Sequence, residues 1–392
     1  VQENTHVRWT EAGETRTARW RSASGSPPPK QVTVADDRMR ADDAYRLACT
    51  GTALLWRGDF HNARRLLQAM NRRFDRSRRR RPRPAPGDPQ AFHLYRLTQG
   101  QRARTLGMLL IPLDADYRVP LRRAPDVRRA CLEAYGPADE PSLVALRELL
   151  GVIGAHEWRR KGVPVPALGE RIHPHYGVFS PVRGEYVDLV ARAPLPPDPS
   201  PAFDIGTGTG VLAALLARRG VRRVIATDVD PRALACAREN IERLGLADRV
   251  EVHRADLFPP GRRARLAVCN PPWIPAKAAS SLEHAVYDHK GRMLQGFIAG
   301  LADRLEPGGE GWLILSDIAE HLGLRSRDDL LAAFDAAGLT VIDRLDAKPR
   351  HPKVHDPDDP LHRARAAETT SLWRLTPRRP LQRPTDRSQH AH

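Results

Sequence analysis

The 392-residue sequence is poor in cysteine: Cys49, Cys131, Cys236 and Cys269 lie far apart with no C-x-x-C pair. That excludes a disulfide scaffold and a cysteine zinc cluster. It also lacks any apolar run of the roughly 18 residues that a membrane-spanning helix needs. The opening VQENTHVRWTEAGETRTARWRSASGS has no apolar centre of a secretory signal, so a soluble, cytoplasmic protein is expected. Lysine is scarce, six residues beside 57 arginines, a usage that codon bias in a G+C-rich genome produces.

The formal net charge of +16 is unevenly spread: residues 1–200 carry +12, residues 201–392 carry +4, and the window 61–130 alone carries +13. Such a patch suits a nucleic-acid or ribosomal partner, or is a solvated basic face. The chain is long enough for two or three domains.

Residues 1–38 are polar and Ser/Pro-rich, which predicts a disordered leader, part of it a start-site artefact ahead of Met39. From 40 to 74 apolar residues recur at helical spacing (Tyr45, Leu47, Ala48, Leu54, Leu55, then Ala63, Leu66, Leu67, Met70), which predicts a helical hairpin. Arg78 to Arg81 and the prolines that follow predict an exposed linker. A helix near 90–104, a strand in LGMLLIPL and helices near 124–135 and 141–158 complete a mainly helical, basic region over 39–164. PLPPDPSP (194–201) punctuates the chain. Beyond it short apolar strands alternate with helical stretches up to about residue 376, and the tail 377–392 reads as disordered. Alternation of this kind predicts an α/β fold, an open and mostly parallel sheet with helices on both faces. Ligands of such sheets sit beyond the carboxyl ends of the strands.

Four strand ends carry the chemistry. The first gives Asp204-Ile205-Gly206-Thr207-Gly208-Thr209-Gly210 before an apolar helix, a turn that lets backbone approach a nucleotide-like cofactor. The second ends at Asp228, placed to accept hydrogen bonds from ribose hydroxyls. The third ends in Ala255-Asp256-Leu257. The deciding element is Asn270-Pro271-Pro272-Trp273 after a fourth strand. The two prolines remove two amide donors, so the carbonyls and the Asn270 oxygen can receive both hydrogens of a planar NH2 group. Trp273 can stack on a flat substrate.

These residues resemble the class I S-adenosylmethionine-dependent methyltransferases, within them the amino-methylating group with the signature (D/N/S)-P-P-(Y/F/W). DIGTGTG, ATDVDP, RALACARENIERLGL and NPPWIP look most like the HemK-type protein glutamine methyltransferases, which modify release factors or a large-subunit ribosomal protein. The resemblance covers residues 165–376 and implies a seven-stranded Rossmann-like sheet with S-adenosylmethionine as cofactor. It implies that Asp204, Gly206, Thr207, Gly208 and Gly210 form the loop for the methionine part, that Asp228 holds the ribose and that Asp256 and Leu257 meet the adenine. Asn270, with Pro271, Pro272 and Trp273, then orients the target nitrogen. Tyr176 and Phe179 stand where the family places a lid. Trp273 replaces the usual Tyr of the glutamine methyltransferases, and HYGVFSPVRGEYVDLV replaces their I-P-R-P-(E/D)-T-E stretch. The string GVFS is closer to enzymes that methylate guanine N2 in ribosomal RNA.

The expected reaction is methyl transfer to a protein glutamine of the translation machinery; RNA guanine N2 or adenine N6 is the alternative acceptor. A non-catalytic cofactor-binding module is the alternative of another class. His173 and His175, two apart without a third ligand, read as ordinary histidines rather than a metal site. His284, Asp288 and His289 read as a solvated loop.

Overall fold

The structure, a computed structural model, describes residues 5–79, 90–182, 184–277, 286–350, 352–356 and 359–378. Two sheets organise it. The first contains β1 (His6–Glu11), β2 (Glu14–Arg21), β3 (Gln31–Ala35), β4 (Thr52–Trp56), β5 (Leu109–Leu113) and β6 (Ser142–Ala145), in the spatial order β1-β2-β6-β5-β4-β3. Around it lie α1 (Ala41–Cys49), α2 (Phe60–Arg79), α3 (Gln90–Leu106), α4 (Arg128–Tyr135) and α5 (Leu146–Lys161).

This first unit corrects the expectations for 1–38 and 39–164. Residues 6–35 are three strands, not a leader. HVRWTE alternates, burying Val7 and Trp9 between exposed residues, and Ala12 and Gly13, both at positive φ, close the hairpin to β2. Two-residue hairpin loops favour that conformation because its twist matches the strands. The region 39–164 is a sheet with helices, because Leu54 and Leu55 belong to β4, between the helices of the expected hairpin. An apolar run of five residues fits a buried strand and a buried helix alike; here both faces of β4 are covered, Leu54 and Trp56 by helices and Leu55 by the Val7/Trp9 layer. The helix α2 continues through Arg79, so the linker expected from Arg78 starts later, and its residues 80–89 lie outside the described residues.

A small hairpin of β7 (Val163–Val165) and β8 (Glu170–Ile172) leads to α6 (Glu185–Arg192). The second sheet follows: β9 (Ala202–Ile205), α7 (Val211–Arg218), β10 (Val224–Asp228), α8 (Pro231–Arg243), β11 (Val250–Arg254), β12 (Ala264–Cys269), α9 (Arg292–Arg304), β13 (Leu305–Ser316), α10 (Ile318–His321), α11 (Arg327–Ala336), β14 (Leu339–Ala347), α12 (His362–Ala367) and β15 (Thr370–Pro377). Its seven strands run β11-β10-β9-β12-β13-β15-β14, with β15 antiparallel to both neighbours. This is the expected Rossmann-like methyltransferase sheet. The connection from β14 to β15 is not hairpin-like: it spans α12, which bears on the site below. The tail from 379 lies outside the described residues.

One face of this sheet packs on α6, α7 and α8, the other on α9 and α11. Phe203 in β9 is fully buried on the second face. Truncating a buried aromatic removes its transfer energy and leaves a cavity. Phe203→Ala should therefore lower unfolding free energy by about 3–5 kcal/mol in denaturant titration.

Candidate active site

The register of the second sheet decides where the motifs go. Ile205 of β9 pairs in parallel with Cys269 of β12 on one side and with Thr227 of β10 on the other. The residues that follow, Gly206, Asn270 and Asp228, therefore leave the sheet side by side at its carboxyl edge. The strand order reverses between β9 and β12, so a crevice opens there. It is a cleft of about 890 Å³, lined by Gly206, Thr207, Gly208, Asp228, Asp256, Leu257 and the whole Asn270–Trp273 corner.

On the β9 side, Asp204 is buried, and its Oδ2 accepts the Thr207 hydroxyl at 2.6 Å and the Ala213 N–H at 3.0 Å. This ties the glycine turn to the first turn of α7. The N–H groups of Gly206 and Thr207 both donate to the Thr227 carbonyl. Gly210 has φ +81, and a Cβ there would lie 3.3 Å from Ala237 of α8, so only glycine lets loop and helix meet. The Asp228 carboxylate accepts from the Gly208 and Asp230 N–H groups, each at 3.0 Å, and burial raises its pKa. At Gly208 a Cβ would meet nothing within 4 Å, so the cleft approaches bare backbone there. Leu257 has φ +66 and its carbonyl receives the Thr227 hydroxyl. Asp256 is exposed and ion-paired with Arg292.

On the β12 side, Asn270 Oδ1 accepts the Trp273 indole N–H at 2.9 Å. The chain after Trp273 is pinned: Ile274 N–H donates to the Val286 carbonyl and Asp288 N–H to that of Ile274. Asp288 and His289, read as a solvated loop, line the cleft instead. The Asp288 carboxylate accepts the Met293 N–H at 2.7 Å, capping α9. His284 lies outside the described residues.

Of the expected lid pair, Phe179 lines the cleft and Tyr176 does not. Tyr176 packs on the first unit's core, with the Arg232 guanidinium over its ring. His175 bonds to Glu239 at 2.7 Å and His173 to the Arg159 carbonyl at 2.6 Å, both at the seam between units.

Sequence reading missed the far wall: Ile318, Arg365 and Glu368. Because β15 is antiparallel, the residues before it arrive at the same carboxyl edge as Asn270. Glu368 is fully buried and accepts the Ser316 hydroxyl at 2.7 Å. Arg365 is held by Asp359 at 2.9 Å and sits beside Tyr95 of α3. The helix α3 itself reaches the corner: Phe92 clusters with Ile274, and Arg96 stacks on Tyr287 and donates to the Lys277 carbonyl at 2.7 Å.

Burial raises the Asp204 pKa from 3.8 to about 6. The folded state thus holds this proton more tightly than the unfolded chain. The contribution is fully present below about pH 4 and is lost as pH rises through about 6. Relative to Asp204→Asn, the wild type should lose stability between those two values and no more above them. Thermal melts across pH 4–8 check this, and a pH-independent difference would refute it.

With the geometry set, comparisons with known proteins bear on the chain. Residues 171–337 match the methyltransferase small domain family. A release factor glutamine methyltransferase from Cereibacter sphaeroides is 36% identical over 161 residues, which cover 38% of this chain and 56% of that protein. A ribosomal protein L11 methyltransferase from Pelotomaculum thermopropionicum is 37% identical over 144 residues, 36% of this chain and 39% of that protein. The chain thus spans about half or less of the curated relatives it matches. A methyltransferase of known structure from Pyrococcus furiosus aligns at TM-score 0.38 and 18% identity, over 59% of this chain and 98% of that one. Among the described residues no helix is long and apolar enough to cross a membrane. Residues 171–337, which hold strands β9–β13, are thus similar to the methyltransferase small domain family.

Proposed function

We propose that this protein transfers a methyl group from S-adenosylmethionine to a planar amino nitrogen, foremost the side-chain amide of a glutamine in a cytoplasmic protein of the translation machinery. The observation that carries the reading is the adjacency of Gly206 and Asn270, set by the pairing of Ile205 with Cys269. The names of the relatives support the acceptor class.

The residues fit the donor. Gly206–Gly210 offer bare backbone for its amino-acid part, Asp228 a carboxylate for ribose hydroxyls, and Asp256 with Leu257 an edge for the base. The bound sulfonium would supply an already activated methyl group. What remains for the protein is alignment and exclusion of water. Asn270 Oδ1 accepts a hydrogen of the acceptor nitrogen, and the bond strengthens as that nitrogen becomes positive, so it favours the transition state. Pro271 and Pro272 have no N–H to oppose that charge. The proton leaves after transfer, so no strong base is required.

A second reading, an RNA acceptor, is favoured by one observation. The helix α2 carries seven arginines against one acid, and α3 three arginines and no acid. Arg102 of α3 donates to Asn71 of α2 at 2.9 Å, while the other end of α3 braces the acceptor corner. A basic helix pair thus leads to the cleft.

Incubation with labelled donor and a ribosome-plus-factor extract should give label released by protease and not by ribonuclease; release by ribonuclease would favour the second reading. In that case binding should weaken with salt by a log-log slope of roughly 0.7–0.9 per phosphate contacted. The donor should raise the melting temperature and NAD should not. Asn270→Ala should cut turnover on the order of a hundredfold and leave donor affinity by calorimetry within about twofold, since the lost contact is to the acceptor. Equal losses in both would contradict the role.

A further inference from the structure

The Asn270 amide has two ends of nearly the same shape and opposite function. One accepts hydrogen bonds and the other donates two. A half-turn of the amide would leave its volume unchanged and present donors to the acceptor nitrogen, reversing the interaction on which the proposed chemistry depends. Something must therefore fix the orientation. Pro271 and Pro272 cannot, because they fix backbone and not this side chain.

Trp273 is placed to do it. An indole N–H is a donor only, so it attracts the amide oxygen and repels the amide NH2. It lies 2.9 Å from Asn270 Oδ1. The ring cannot follow a turning amide, because it packs against three separate apolar clusters: those around Val211 and Trp312, around Phe297 and Leu313, and around Phe92 and Ile318. The chain after it is held by the Ile274–Tyr287 bridge. A carbonyl oxygen has two lone pairs; the indole takes one and leaves one for the acceptor nitrogen.

We infer that Trp273 is a positioning residue, holding the Asn270 amide in the orientation that turns its oxygen to the acceptor. This rests on the reading of Asn270 given above. It gives the aromatic residue of the motif, in this chain, a polar task beside any stacking on the substrate. It also carries a distinctive consequence: the carboxylate that Asn270→Asp introduces has two equivalent acceptor oxygens and no wrong end, so it has no need of the indole N–H.

The test is a double-mutant cycle of Trp273→Phe and Asn270→Asp, read as the initial rate of labelled methyl incorporation at saturating extract, with donor affinity by calorimetry. In the wild-type background, Trp273→Phe should lower the rate about tenfold, the worth of one hydrogen bond, with donor affinity within about twofold. In the Asn270→Asp background the same substitution should cost less than about twofold. Equal losses in both backgrounds would mean that the ring only packs, and would overturn the inference, as would a Trp273→Phe rate close to the wild type. Should Asn270→Asp abolish transfer, the amide itself decides: with selectively 15N-labelled asparagine, the Asn270 NH2 resonances should be a single sharp pair in the wild type and broadened or doubled in Trp273→Phe. An unchanged pair would overturn the proposal. Absence of methyl transfer by the wild type would defeat the proposed function alone and leave these resonances to decide the positioning role.

Discussion

The site depends on a backbone register. Because Ile205 stands opposite both Thr227 and Cys269 in parallel ladders, three chain segments leave the sheet each one strand's width from the next. Parallel strands about 4.8 Å apart make this a matter of hydrogen-bond geometry and not of side-chain choice. A slip of one residue in β12 would move every one of its side chains to the opposite face and carry Asn270 out of line with the glycine turn. The fully buried Ala267, Val268 and Cys269 hold the strand against such a slip.

Around that frame, polar groups are spent where the backbone needs them. Asp204 gives up a carboxylate's preference for water in order to clasp Thr207 and the start of α7. Asp228 bonds to the glycine loop it stands beside. The same carboxylates that brace the backbone thus also line the cleft.

The strand-end side of the cleft was legible in the sequence, because its signals are local. A glycine at positive φ, an acid at a strand end and a pair of prolines each dictate backbone within a few residues. Phe179, singled out through the family resemblance, lines the cleft, while Tyr176, three residues earlier, turns to the first unit's core. The far wall was illegible for the opposite reason. Arg365 and Glu368 reach the cleft only because β15 runs antiparallel, and nothing near residue 365 announces that. In the first unit, the five-residue β4 was hidden between two amphipathic helices. The strands β1 and β2 were hidden by arginines and threonines, whose alternation with Val7, Trp9 and Ala18 becomes meaningful only when a neighbouring strand covers one face.

The walls of the cleft come from different stretches of the chain. Its β9 and β10 side lies within the stretch matched to the family. Its opposite side joins the Asn270–Trp273 corner and Ile318, also within that stretch, to Arg365 and Glu368 from the α12 region after it, while α3, from well before it, packs on the corner. The cleft is therefore complete only when three distant stretches of polypeptide have packed together.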